Sequence, residues 1–83
     1  MDNVINKFPV VVKQLRKARG WSQEELAERA DLNRSYIGEI ERGIATPSLA
    51  TLSKLAGSFE LSPSTLLAHC EQQIAGDSML SVA

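Results

Sequence analysis

Residues 21–43 read WSQEELAERADLNRSYIGEIERG, and the spacing of helix caps and apolar residues within them decides the fold. Ser22 is a favoured N-cap residue and Glu25 follows at capping-box spacing. Trp21 precedes the cap and Leu26 takes the fourth helical position, the arrangement of a hydrophobic staple. These signals predict a helix from Gln23 to about Ala30. Asn33 repeats the device, with Leu32 stapled to Ile37, and predicts a further helix to about Arg42, where Gly43 acts as the stop. Two helices that cross at roughly 90–120° over so short a turn need a small residue where their axes approach. Ala27 meets that need, while Leu26, Ile37 and Ile40 supply the inner faces. Asp31 falls where the chain must turn left-handed, a conformation that glycine adopts most easily and that Asp and Asn tolerate.

Working outward, apolar residues keep recurring at spacings of three and four, and nowhere alternate for the length of a strand. A first helix is predicted over about residues 8–18, with Phe8, Val12 and Leu15 on one face and Gly20 as its stop. Pro47-Ser48 opens a fourth helix, capped by Ser48 and buried along Leu52, Leu55, Ala56 and Phe59. Ser62-Pro63 opens a fifth, with Ser62 as cap, Pro63 at the first helical position and Leu61 stapled to Leu66. It is expected to reach about residue 73. Connections this short force neighbouring helices to pack on one another. The expectation is an all-α, compact five-helix domain over residues 1–75, followed by a flexible C-terminal tail over residues 76–83.

At 83 residues the chain holds one small core, burying only about 60–65% of its unfolded surface. Cys70 is its single cysteine, so no disulfide is available. With His69 alone beside it, the soft ligands for a zinc site are too few, and no metal or other cofactor is expected. A lone thiol suits a reducing cytoplasm. No apolar run has the roughly 18–20 residues of a membrane span, and no signal segment opens the chain. The net charge of −1 hides an uneven distribution. Lys7, Lys13, Arg16, Lys17 and Arg19 precede Gln23 with no carboxylate among them, which gives a local basic stripe able to approach phosphate. Ser22, Ser48 and Ser62 are accounted for as caps and His69 has no evident catalytic partner, so catalysis is not expected.

The capped pair of helices resembles the helix-turn-helix of the Xre/Cro/C1 group, which includes lambdoid phage repressors. The resemblance continues through PSLATLSKLAGSFELSPSTLL and covers about residues 12–67; Asp31, where glycine is common, is its departure. It implies a lambda-repressor-like fold with the third helix lying in the major groove of DNA. Arg34, Ser35, Tyr36 and Glu39 are then the candidate base-readers. Arg34 can donate two hydrogen bonds to guanine, and Glu39 can accept from cytosine or orient Arg34. Gln23, Asn33, Arg42 and Thr46 are the candidate phosphate contacts, Gln23 at a helix N-terminus that attracts anions. The resemblance also implies that Arg16 pairs with Glu41 and braces the third helix.

Within that group NRSYIGEIERG is most similar to restriction-modification controller proteins. The implied function is a sequence-specific transcription regulator that binds inverted-repeat operators in double-stranded DNA as a homodimer, with RNA polymerase as a candidate partner. Leu67, Cys70 and Ile74, at spacings of three and four, are the candidate dimer contacts. The alternatives are a Cro-like phage repressor, or an antitoxin that holds a toxin protein on its C-terminal helix.

Overall fold

The computed structural model describes the backbone of residues 4–82 and the side chains of residues 4–73. Among them are five helices and no strand: α1 (Val4–Ala18), α2 (Gln23–Ala30), α3 (Arg34–Glu41), α4 (Leu49–Ser58) and α5 (Pro63–Val82). Helix α1 packs on α3 and α5, α2 packs on α3 and α4, and α4 packs on α5. The shared core holds Phe8, Val12, Leu26, Ala27, Ile37, Ile40, Leu52, Leu55, Ala56, Phe59 and Leu66, all expected from their spacing, together with Val11, Ala30 and Cys70.

One local device recurs at the turns. Gly20, Asp31 and Glu60 each adopt the left-handed conformation, with φ of 71°, 55° and 59°. In each case the next residue's N–H returns to a carbonyl of the last helical turn: Trp21 to Arg16 (3.2 Å), Leu32 to Ala27 (2.9 Å), Leu61 to Ala56 (2.8 Å). These are Schellman closures, whose second residue prefers to be apolar. Trp21, Leu32 and Leu61 all pack against the core. Each also immediately precedes the N-cap of the next helix, so one apolar side chain closes one helix and staples the next. The caps follow at once: Ser22 Oγ accepts from Glu25 N (3.0 Å), Asn33 Oδ1 from Ser35 N (2.8 Å) and Ser62 Oγ from Thr65 N (3.1 Å). Ser48 caps α4 in the same way, accepting from Thr51 N at 3.1 Å.

The helical framework departs from the sequence expectations in four places. Helix α1 begins at Val4, a turn before the expected residue 8, and carries Pro9 inside it. Val4 and Phe8, one turn apart, both pack on the core, and that burial outweighs the single hydrogen bond that Pro9 removes near the helix start. The capping box at α2 is only half made, because the Glu25 carboxylate accepts from Arg29 at 3.0 and 3.2 Å instead. Helix α5 runs through Val82, past the expected end at residue 73 and through residues 76–82 of the expected tail. No proline follows Pro63, and a single internal glycine such as Gly76 weakens a helix without ending it. Finally, the basic stripe of α1 is broken up. Arg16 is buried, and Arg19 donates to the carbonyl of Phe59 at the end of α4 (2.8 Å) while lying over the rings of Phe59 and Trp21.

Candidate nucleic-acid interface

The attitude of α3 is set by a buried ion pair. Arg16 of α1 donates from Nε to Glu41 Oε2 (2.7 Å) and from Nη2 to Glu41 Oε1 (3.0 Å). The bidentate fork fixes distance and plane together. Arg16 Nη1 also donates to the carbonyl of Trp21 (2.7 Å), so one guanidinium ties α1, the turn before α2 and the last turn of α3. Glu41's side chain is 3% exposed. The pair implied by the resemblance is therefore present, and it accepts a further bond from Gln23 Nε2 at 3.1 Å.

That third bond settles the orientation of the Gln23 amide. A carboxylate oxygen only accepts, so the NH2 end must face Glu41. Nε2 keeps a second N–H, at the first position of α2, where the free backbone N–H groups of a helix start also point outward. Arg42 lies nearby. Its Nη1 comes within 3.2 Å, and Gln23 Oε1 within 3.9 Å, of the position that a Cβ on Gly38 would take. Two of the expected phosphate contacts thus converge over one glycine of α3. Thr46 is exposed in the loop after α3. Asn33 is engaged as the α3 cap.

Of the expected base-readers, Arg34 and Ser35 are exposed at the start of α3, and among the described residues neither side chain has a protein partner. Glu39 is half-buried and makes no ion pair with Arg34. Tyr36 is turned the other way. Its ring packs against the core, and its hydroxyl lies 3.2 Å from Thr51 Oγ1, which in turn accepts from Ser48 Oγ (3.1 Å). The tyrosine joins α3 to the N-cap of α4, a contact that helical spacing does not disclose.

The expected dimer residues do not form one surface. Cys70 is fully buried inside the protomer, because α5 presents it to the same core as Leu66, one turn earlier. Burial, with the nearby Glu71 carboxylate adding to it, pushes the thiol up to about 11. Leu67 is half-buried and lines an apolar groove of about 340 Å³ with Val4, Ile5, Leu49 and Leu52. Ile74 lies outside the residues whose side chains are described. Sequence reasoning also missed Lys54, whose Nζ donates to the carbonyl of Asp31 (3.3 Å) and sits 3.8 Å from its carboxylate, bracing the turn between α2 and α3. No group of His, Cys, Asp and Glu among the described residues could hold a metal, and no helix among them is long and apolar enough to cross a membrane.

Two capped helices joined by an Asp-Leu-Asn turn, with the second helix's start exposed and its end anchored, match the model of the helix-turn-helix family over residues 12–66. The chain belongs to the helix-turn-helix family. Control protein C.BamHI of Bacillus amyloliquefaciens is 36% identical over 78 residues, covering 87% of this chain and 96% of its own length. The immunity repressor of Bacillus phage phi105 is 43% identical over 56 residues, covering 68% of this chain and 39% of its own. The chain spans only 38% of the helix-turn-helix transcriptional regulator SutR of Escherichia coli and 51% of SinR of Bacillus subtilis. Among solved structures, the restriction-modification controller C.Esp1396I, a tetramer in complex with its natural 35 base-pair operator, superposes with a TM-score of 0.80. It has 27% identity and covers 90% of this chain and 99% of its own. The helix-turn-helix is α2 and α3 of this chain, and α1, α4 and α5 are the frame that holds it.

Proposed function

We propose that the chain is a sequence-specific transcription regulator that binds double-stranded DNA as a homodimer, and that it serves as a restriction-modification controller acting on inverted-repeat operators at its own promoter. The observation that carries this reading is the exposed start of α3. Arg34 and Ser35 project there without protein partners, on a helix whose other end is locked by Arg16 and Glu41. A guanidinium held in that way can enter a major groove and donate to guanine O6 and N7. Gln23 and Arg42, which converge over Gly38 further along α3, supply phosphate contacts that set the register. Tyr36, its ring against the core and its hydroxyl at Thr51, holds α3 on α4, and Glu39 lies one turn further along α3.

The controller role is supported by how much of a known controller the match accounts for. The match to C.BamHI runs nearly end to end, whereas the match to the phage immunity repressor covers 39% of that protein. A single α3 reads only a few base pairs, and two copies about 34 Å apart read successive major grooves. Leu67 and the apolar groove beside it form the face assigned to the second copy, with Cys70 left in the core. Acting at a promoter places the protein in the cytoplasm with RNA polymerase as a further partner, in a regulatory rather than a catalytic role.

The test is binding to the DNA upstream of the protein's own gene, followed by fluorescence anisotropy over a salt series. Wild type should prefer that DNA over scrambled duplex, with an affinity that falls steeply with salt. Arg34→Ala should lose about 5- to 150-fold of the preference, the 1–3 kcal/mol of one bidentate base contact, and keep its affinity for scrambled DNA. Equal binding of both duplexes by wild type would refute the reading.

A further inference from the structure

Gly38 has no local reason to be glycine. It sits in the middle of α3 with ordinary helical geometry, where glycine is among the poorest helix formers, and it is absent from the positive-φ positions of the chain. It is nonetheless buried, and what buries it is distinctive. The nearest atom to its absent Cβ is Arg42 Nη1 at 3.2 Å, followed by Gln23 Oε1 at 3.9 Å and Arg42 Cζ at 4.0 Å. A cationic side chain lies over the bare backbone of α3, and the amide oxygen of Gln23 from α2 approaches the same point. Among the described residues the Arg42 guanidinium has no hydrogen bond or ion pair, so its donors remain uncommitted. Gln23, by contrast, is held by Glu41.

We propose that Gly38 is a positioning residue for DNA. The missing side chain lets Arg42 lie beside Gln23, so that a guanidinium and an amide N–H from two different helices grip the same backbone phosphate. This rests on the DNA-binding reading above and adds to it a requirement for glycine at a position that touches no DNA. A methyl group at residue 38 would lift the guanidinium off α3, because 3.2 Å is tighter than ordinary contact and the guanidinium is the part free to move. Arg42 would still be present and charged, but its guanidinium would be displaced by a few tenths of an ångström from its place over Gly38. Glu41 enters as the acceptor that keeps the Gln23 amide facing one way.

The experiment is a double-mutant cycle on the full chain with Gly38→Ala and Arg42→Ala, with Gln23→Ala alongside. Each variant is titrated by anisotropy against the upstream DNA and against a scrambled duplex from 50 to 300 mM salt. Gly38→Ala should melt at or above the wild-type temperature, since alanine favours the helix. It should bind both duplexes about 3- to 10-fold more weakly, with the slope of log affinity against log salt reduced by about 1, as for one lost phosphate contact. In the Arg42→Ala background the same change should cost nothing further. Wild-type affinity and slope for Gly38→Ala overturn the proposal, as does an equal loss when Arg42 is already absent. If Arg42→Ala and Gln23→Ala both bind every duplex like wild type, this surface does not face DNA, and the failure lies with the functional reading beneath it.

Discussion

Removing the Glu41 carboxylate tests the central brace most directly. Glu41→Ala leaves Arg16, 8% exposed, with Nε and Nη2 stripped of their acceptors and only the Trp21 carbonyl still bonded. Breaking a buried pair from one side costs about 3–5 kcal/mol, because the remaining charge stays desolvated. The surviving bond from Nη1 places the expected loss near the lower end, at about 3 kcal/mol. A domain of this size has a total stability of about 4–12 kcal/mol, so the variant should remain folded at 25 °C but melt about 12–24 °C lower. Urea titration followed by the fluorescence of Trp21, the single tryptophan, reads the change as a shifted midpoint at constant slope. Trp21 suits this because its ring stacks on Phe59 at the end of α4, with centroids 5.9 Å apart, and so reports on the packed core. The double variant Arg16→Met with Glu41→Leu should recover most of the loss, since an apolar pair fills the site without a stranded charge. A loss below about 1 kcal/mol for Glu41→Ala would refute the argument, because that is what an exposed ion pair contributes.

Two further outcomes follow from the same geometry. Glu60 and Asp31 both hold positive φ, and glycine relieves that strain, so Glu60→Gly should raise stability by about 0.5–1 kcal/mol. Asp31→Gly should gain less, because Asp tolerates the conformation better and its contact with Lys54 is given up; thermal melts showing Asp31→Gly ahead of Glu60→Gly would contradict the ordering. The Cys70 thiol, raised from 9.0 to about 11, stays protonated in the folded state after the unfolded chain has ionised. Its contribution to stability is therefore complete below about pH 9 and is lost as pH rises towards 11. Substituting Cys70→Ala should remove that part of the alkaline decline. In the native protein a thiol reagent at pH 8 should react only as fast as the core opens, and immediate stoichiometric labelling would show the thiol to be exposed.

The local grammar of this chain is written in residues a few positions apart. Ser22, Asn33, Ser48 and Ser62 cap helices with their own backbone neighbours. Gly20 and Gly43 turn the chain because glycine bears no Cβ, and the apolar spacing names nearly the whole core. Each of these depends on contacts within about one helical turn, so reading along the sequence reaches them. Even Arg16 with Glu41, 25 residues apart, was legible only through resemblance to a family and not from spacing.

The remaining features depend on where helices cross. Pro9 argues for a later start to α1, yet the burial of Val4 and Phe8 decides otherwise. Glu25 carries the capping-box signature, yet Arg29 on the next turn takes its carboxylate. Tyr36 sits among the expected base-readers, but the position of α4 gives its hydroxyl to Thr51. Cys70 shares the helical spacing of Leu67, but a helix face becomes inside or outside only once a neighbour covers it, and the core covers Cys70. Gly38 reads as a flaw in a helix until Arg42 is seen across it. Sequence by itself determined which segments are helices and how α2, α3 and α4 are capped, because those free energies are local, whereas the start of α1 and the end of α5 were not among them. Tertiary structure decided which side chains remain available to a partner, because availability is a property of the packed surface and not of any one segment.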